Sequence, residues 1–325
     1  MDNTISIYVA NIDCDRRSSG ILGQVFGINP ADDIKKMMIT VLKRLEEGRI
    51  CALCEVSKEA AEKLDVYIPS KYYRIIRSYN NDAYSFRYVI FLPEGVKPEL
   101  TKHIPFTASG EFYTDERPAS DKEKRGNPDY LAETLGELFE KSAVYLKIIV
   151  DGKPAHFVLN HLGLTNHSKL SQAQCLIKWV DKNVPKDEAM FICGDFNAFD
   201  MGGDGPFIPL YETFLGIGLK NAVPFDVHTF TPKPYDIVAF LNNKVYRDEY
   251  FNLLDRLKEL DGKDDAYEEF EDCAKNFREL CYDKSKQRVP AGVALDNMLS
   301  NNAKVKVELI DTNSDHKALL CNITL

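Results

Sequence analysis

Two short patterns in this 325-residue chain set oxygen-bearing side chains one residue apart. Asp195 and Asn197 follow the apolar run 190–193 and Gly194; Asn11 and Asp13 follow the run 5–9. On a strand, residues i and i+2 share a face. Each pair would therefore hold a carboxylate and a carboxamide side by side at the end of a core strand. Three further polar groups stand beside apolar runs: Glu55 after 50–54, His161 after 155–159, and Asp315-His316 just before 318–320. Carboxylates and carboxamides are hard oxygen ligands, suited to Mg2+ or Mn2+ rather than to zinc. Imidazoles near them can move a proton or stabilise a developing negative charge. Each group has a plainer reading when taken alone. Gly-Asp-x-Asn is also a polar turn, Glu55 can be an N-cap acid before a helix over 57–64, and a lone histidine beside a strand is usually structural.

The elements that must position these groups are legible as periodicity. Residues 5–9, 50–54, 72–76, 86–92, 143–150, 155–159, 190–193 and 305–310 read as strands. Asn29-Pro30 with Asp32 and Asp33 opens a helix that Gly48 stops, with Ile34, Met37, Met38, Val41, Leu42 and Leu45 at helical spacing. Asp151-Gly152 predicts a tight hairpin. A second amphipathic helix is expected over 169–182, with Leu170, Ala173, Leu176, Ile177 and Val180 inward. After Pro93 the pattern becomes irregular. Cys51 and Cys54 form a C-x-x-C match inside one strand, which points their thiols to opposite faces and argues against a metal or redox pair.

The polar groups, in this order and each at a strand end, resemble the endonuclease/exonuclease/phosphatase (DNase I-like) superfamily, from residue 5 to the C-terminus. The resemblance implies a four-layer α/β sandwich, two packed mixed β-sheets flanked by helices, forming one catalytic domain over 1–325 with insertions at 119–141 and 245–290. It implies metal-assisted attack of water on a phosphate ester, with Mg2+ or Mn2+ as cofactor. Glu55 would be the direct metal ligand, helped by Asn11, Asp13 and Asp315. Asp195 would position or deprotonate the attacking water, with Asn197 holding it or a phosphate oxygen. His161 would contact the scissile phosphate, and His316 would be oriented by an Asp. Two strands fit that Asp: Asp296 in 294–299, which is favoured because 305–310 and Ser314-Asp315-His316 follow it compactly, and Asp236 in 235–240. Glu116-Arg117-Pro118 resembles the family's phosphate-contacting arginine, so Arg117 joins Asn11 as a candidate substrate contact.

Composition narrows the partners. The net charge is −9 and the pI about 5.3, which is not the basic footprint usual for nucleic-acid binding. A nuclease or nucleic-acid phosphodiesterase is nonetheless the first expectation, because such members of the family are common. A phosphoinositide or sphingolipid phosphoesterase is the alternative, and a non-catalytic binding module on the same scaffold the second. Ala198 and Phe199 after Asn197 depart from the Tyr-Arg of inositol 5-phosphatases. The insertions are expected to set specificity or dock a protein partner. No secretory leader and no apolar run of spanning length is visible, and most of the cysteines sit in apolar runs, so a cytoplasmic setting is expected, with export by a route that needs no leader as the alternative.

Overall fold

The computed structural model describes residues 4–12, 20–79, 86–106, 141–163, 166–200, 205–225, 227–231, 244–285, 294–312 and 314–325. Among the described residues, twelve strands form two six-stranded mixed sheets. The first holds β1 (Thr4–Asn11), β2 (Ile50–Ser57), β3 (Tyr73–Ser78), β4 (Phe86–Leu92), β11 (Lys304–Ile310) and β12 (Ala318–Thr324), in the order β11-β12-β1-β2-β4-β3. The second holds β5 (Leu100–Pro105), β6 (Ser142–Val150), β7 (Lys153–His161), β8 (Ala189–Asp195), β9 (Lys220–Asn221) and β10 (Asp296–Asn301), in the order β5-β6-β7-β8-β10-β9. Each sheet has one parallel pair at its heart, β1 with β2 and β7 with β8, flanked by antiparallel neighbours.

Three apolar clusters account for the layering. Ile7, Val9, Cys54, Phe157, Leu159, Phe191, Cys193, Met298 and Leu319 belong to the core between the sheets. On the far side of the first sheet, Tyr8, Cys51 and Leu53 meet helices α2 (Pro30–Glu46) and α3 (Lys58–Tyr67). Cys51 and Cys54 thus lie on opposite faces, as period-2 alternation requires. Beyond the second sheet, Met190, Ile192 and Val158 pack on α4 (Asn166–Asn183) and α5 (Ile208–Leu215). The result is a helix–sheet–sheet–helix sandwich. Asn29 caps α2 by accepting from the Ala31 N–H at 3.1 Å, with Pro30 in its first turn. Ser57 rather than Glu55 caps α3.

Helices α1 (Ile21–Phe26), α6 (Lys244–Leu260) and α7 (Tyr267–Ser285) share a fourth cluster around Val25, Tyr250, Leu257 and Phe277. The segment expected as an insertion at 245–290 is therefore a helical hairpin over its described part. The segment at 119–141 lies outside the described residues, apart from Lys141.

Three boundaries differ from the sequence expectation. Strand β5 falls where the chain reads as irregular; it is an edge strand with only Ile104 buried, so it carries no apolar alternation. Strand β8 runs through Gly194 to Asp195 instead of breaking at the glycine. Strand β2 continues past Glu55 to Ser57, with a shift of register between Leu53 and Val56.

Candidate active site

The apolar columns of the inter-sheet core end in polar residues at one edge of the sandwich. Along β1 the inward column reads Ile5, Ile7, Val9 and then Asn11; along β7, Phe157, Leu159 and then His161; along β8, Phe191, Cys193 and then Asp195. Strand β10 runs the other way and opens on Asp296 before Met298. Pairing completes the row, because His161 is opposite Asp195 and Asp195 is opposite Asp296. Directly paired residues point to one face. Four strands thus bring these side chains together from positions far apart in sequence.

Two of the groups arrive by irregular backbone. Glu55 sits in the β2 irregularity with φ 53°, a left-handed conformation that β-bulges use to re-aim a side chain. Its N–H donates to the Tyr79 hydroxyl at 2.6 Å. Asn197 has φ 45°, and its N–H donates to Asp195 Oδ1 at 2.7 Å. Strand alternation therefore does not place Asp195 and Asn197 together. The strand ends at Asp195, and a turn closed by the Asp195 carboxylate folds Asn197 back beside it. The Asn197 carboxamide donates to the Leu162 carbonyl at 2.9 Å.

Asp195 is buried at the centre. Asn11 Nδ2 donates to its Oδ2 at 2.9 Å, and the same oxygen lies 3.7 Å from His161 Nε2 and 3.8 Å from His316 Nε2. Burial pushes this carboxyl up to about 6, with the Asp296 charge adding to the rise and His316 opposing it. His316 Nδ1 donates to Asp296 Oδ2 at 2.7 Å. Burial alone would lower the imidazole, but Asp296, Asp195 and Asp315 outweigh it and hold His316 well above the usual histidine range. Its Nε2 also lies 3.4 Å from Asn11 Nδ2 and 4.0 Å from Asp315 Oδ1. Asp296 itself is raised by burial against the pull of His316. His161 places Nε2 3.2 Å from Glu55 Oε1 and Nδ1 3.1 Å from the Tyr79 hydroxyl. Phe230 packs its ring 4.9 Å from that of His316.

The donor set fits a hard divalent cation. Asn11 Oδ1 is a buried oxygen without a hydrogen-bond partner among the described residues. An orphaned carbonyl oxygen is costly unless a donor or cation uses it. Ligand atoms of Glu55, His161 and Asp195 lie within 4.8 Å of one another, as do those of Asp195, Asp296 and His316. Asp13, Arg117 and Asp236 lie outside the described residues. Of the two aspartates that fit by sequence, Asp296 is the one seen against His316.

Sequence reading missed four neighbours of this cluster. Tyr79 bridges Glu55 and His161, yet in sequence it opens a polar turn. Thr229 is fully buried, and its hydroxyl accepts the Asp296 N–H at 2.9 Å. Lys141 Nζ donates to the Leu162 carbonyl at 2.7 Å, and Lys169 is enclosed behind Asn197. None carries a local signal, because each acts through a contact made across the fold.

The two packed six-stranded sheets flanked by helices form an α/β sandwich of the DNase I-like fold class. Solved structures share it across the whole chain. The endonuclease/exonuclease/phosphatase of Bacteroides vulgatus is 14% identical, with a TM-score of 0.59 and coverage of 99% of both chains. The mannosyl-6-phosphatase of Bacteroides thetaiotaomicron is 10% identical, with a TM-score of 0.58 over 99% of this chain and 100% of that one. TDP2 of D. rerio, complexed with a single-strand DNA product, is 12% identical, with a TM-score of 0.54 over 100% of both. No protein-family model and no curated protein matches the sequence.

Proposed function

We propose that the chain is a divalent-metal-dependent phosphoesterase. The observation that carries this reading is the buried Asp195, hydrogen-bonded to Asn11 and Asn197 and flanked by two histidines, beside Asn11 Oδ1, which has no partner among the described residues. Asn11 and Glu55, with Asp315, would hold Mg2+ or Mn2+. When bound, the ion neutralises charge on the phosphate and its leaving oxygen. Asp195 orients the attacking water and takes its proton; a carboxyl raised to about 6 is a stronger base than an ordinary aspartate and is still ionised near neutrality. Asn197 fixes the Asp195 carboxylate through its N–H. His316, kept protonated by Asp296, donates from Nε2 to a phosphate oxygen as charge develops there. His161 donates from the opposite side of Asp195.

A nucleic-acid phosphodiester is the first substrate reading, supported by the likeness to TDP2 in complex with a DNA product. A small phosphate monoester is the second, supported by the likeness to a mannosyl-6-phosphatase and by the net charge of −9. The α6–α7 hairpin is then the segment that sets specificity or docks a partner. The test is hydrolysis of single- and double-stranded DNA, RNA, bis-p-nitrophenyl phosphate, sugar and inositol phosphates and sphingomyelin, with Mg2+, Mn2+ or EDTA. Asp195→Ala and His316→Ala serve as controls. Metal-dependent turnover of one class, lost in both variants, is expected. Turnover that survives in folded Asp195→Ala would sink the mechanism. Silence of the folded wild type across the panel would turn the reading to a binding module.

A further inference from the structure

Lys169 stands in the first turn of α4 and is fully buried, yet it touches none of the groups assigned to the reaction through their side chains. Its ammonium donates to the Asn197 carbonyl at 2.8 Å and to the Phe199 carbonyl. Below it lies the Phe207 ring, 5.2 Å from the nitrogen. The same helix ties down this segment at one more point and the loop after β7 at another. Asn166 Nδ2 donates to Asp200 Oδ1 at 2.7 Å, and Gln172 Oε1 accepts the Gly163 N–H at 2.7 Å. The Phe199 N–H closes back on the Asn197 carbonyl at 2.7 Å. The turn that follows Asp195 is thus held from behind by one ammonium bridging two of its carbonyls.

An ammonium is costly to bury, and a neutral side chain of similar length would fill this space without that cost. Burial pulls the Lys169 pKa down to about 7 against the opposing pull of Asp200 and Asp195. The conformation it braces is itself unfavourable, because Asn197 sits at φ 45°. That conformation is what aims the Asn197 N–H at Asp195 Oδ1. We infer that Lys169 is a positioning residue for hydrolysis, holding the Asn197 backbone so that Asp195 keeps the orientation the attacking water needs. The inference rests on the role given to Asp195 above.

The variant is Lys169→Met, which keeps the length and removes the donors. Displacing an aligned group by about 1 Å can cost about 100-fold in rate, so kcat should fall by about that factor while KM stays within about threefold. Lys169→Met added to Asn197→Ala should cost little more, since both act through one turn. Amide exchange of Asn197 and Phe199, followed by NMR without any substrate, should quicken by about 100-fold in Lys169→Met and little elsewhere. An unchanged kcat, an additive double variant, or unchanged exchange of the two amides in a folded protein would each overturn the inference. Should Lys169→Met fail to fold, Lys169→Gln takes the same measurements, its shorter stem leaving the carbonyls unbridged. A wild type that hydrolyses nothing in the panel overturns the hydrolase reading alone; the exchange rates then decide the role of Lys169 by themselves.

Discussion

Asp195 shows what one buried carboxylate does to its surroundings. Its folded pKa of about 6 lies above the ordinary 3.8, so the folded state binds the extra proton more tightly. Between about pH 4 and pH 6 the contribution of this group to stability therefore falls as pH rises. Asp195→Asn carries no such charge. In EDTA, its stability relative to wild type should rise by on the order of 2 kcal/mol from pH 4 to pH 7, the size a two-unit shift implies after allowance for His316. Denaturant unfolding at several pH values measures it, and a pH-independent difference would contradict the burial account. Glu55→Gln keeps the shape of the side chain and removes its charge. It should weaken Mg2+ binding by at least about tenfold in calorimetry, about 1.4 kcal/mol. The residue types for this chemistry were visible in sequence, since Asn11, Glu55, His161, Asp195, Asn197, Asp296 and His316 converge on one edge. Their supports were not: Tyr79, Thr229 and Lys169 are ordinary residues until the fold brings them to Glu55, Asp296 and Asn197.

At the scale of elements, the site depends on how closely β7 and β8 approach. Gly194 lies in β8 with φ 122°, and a Cβ there would stand 2.1 Å from the Asn160 carbonyl oxygen. No side-chain rotation relieves a clash with backbone. Gly194→Ala should cost at least about 3 kcal/mol of stability, combining overpacking with a left-handed conformation denied to alanine. Chemical denaturation reads this directly, and a loss under about 1 kcal/mol would show that the strands can part. The glycine was visible in sequence as a break in the apolar run. Its reason was not, because the oxygen it accommodates belongs to a strand more than thirty residues earlier. The register shift in β2 is similar: the apolar run 50–54 says strand, while Glu55 turns inward only because two bulged residues face β4.

For the whole molecule, the four apolar clusters separate a sandwich from a three-helix unit. Helices α6 and α7 lie in sequence between Thr231, whose N–H donates to the Asp315 carbonyl at 2.7 Å, and Ala294, two residues before Asp296. They pack on α1, which follows Asn11 and is held by Arg278 Nη1 donating to the Val25 carbonyl at 2.9 Å. The unit is thus joined in sequence to segments that carry site residues. Residues 244–285 hold thirteen acidic and eight basic side chains, an unfavourable surface for a polyanion. Phe277 is fully buried in this unit. Phe277→Ala should destabilise it by about 3–5 kcal/mol. Hydrogen exchange should then quicken in α1, α6 and α7 while the strands between the sheets keep their protection. Equal loosening of both would mean the two cores unfold together. No described helix is long and apolar enough to cross a membrane.

The sequence by itself determined the period of each main element and the chemistry at its end. Apolar alternation marks a strand wherever one face is buried, and a polar residue that ends such a column must sit where the core stops. It therefore announced Asn11, His161 and Asp195 as edge residues before any contact was known, and left Asp296 open against Asp236. Tertiary structure alone decided which of them meet. The row His161–Asp195–Asp296 is a matter of strand register, the choice of Asp296 for His316 is a contact between β10 and the turn before β12, and the aim of Glu55 and Asn197 is set by left-handed backbone. Register and turn geometry arise from pairing between distant segments, so no window of the sequence contains them.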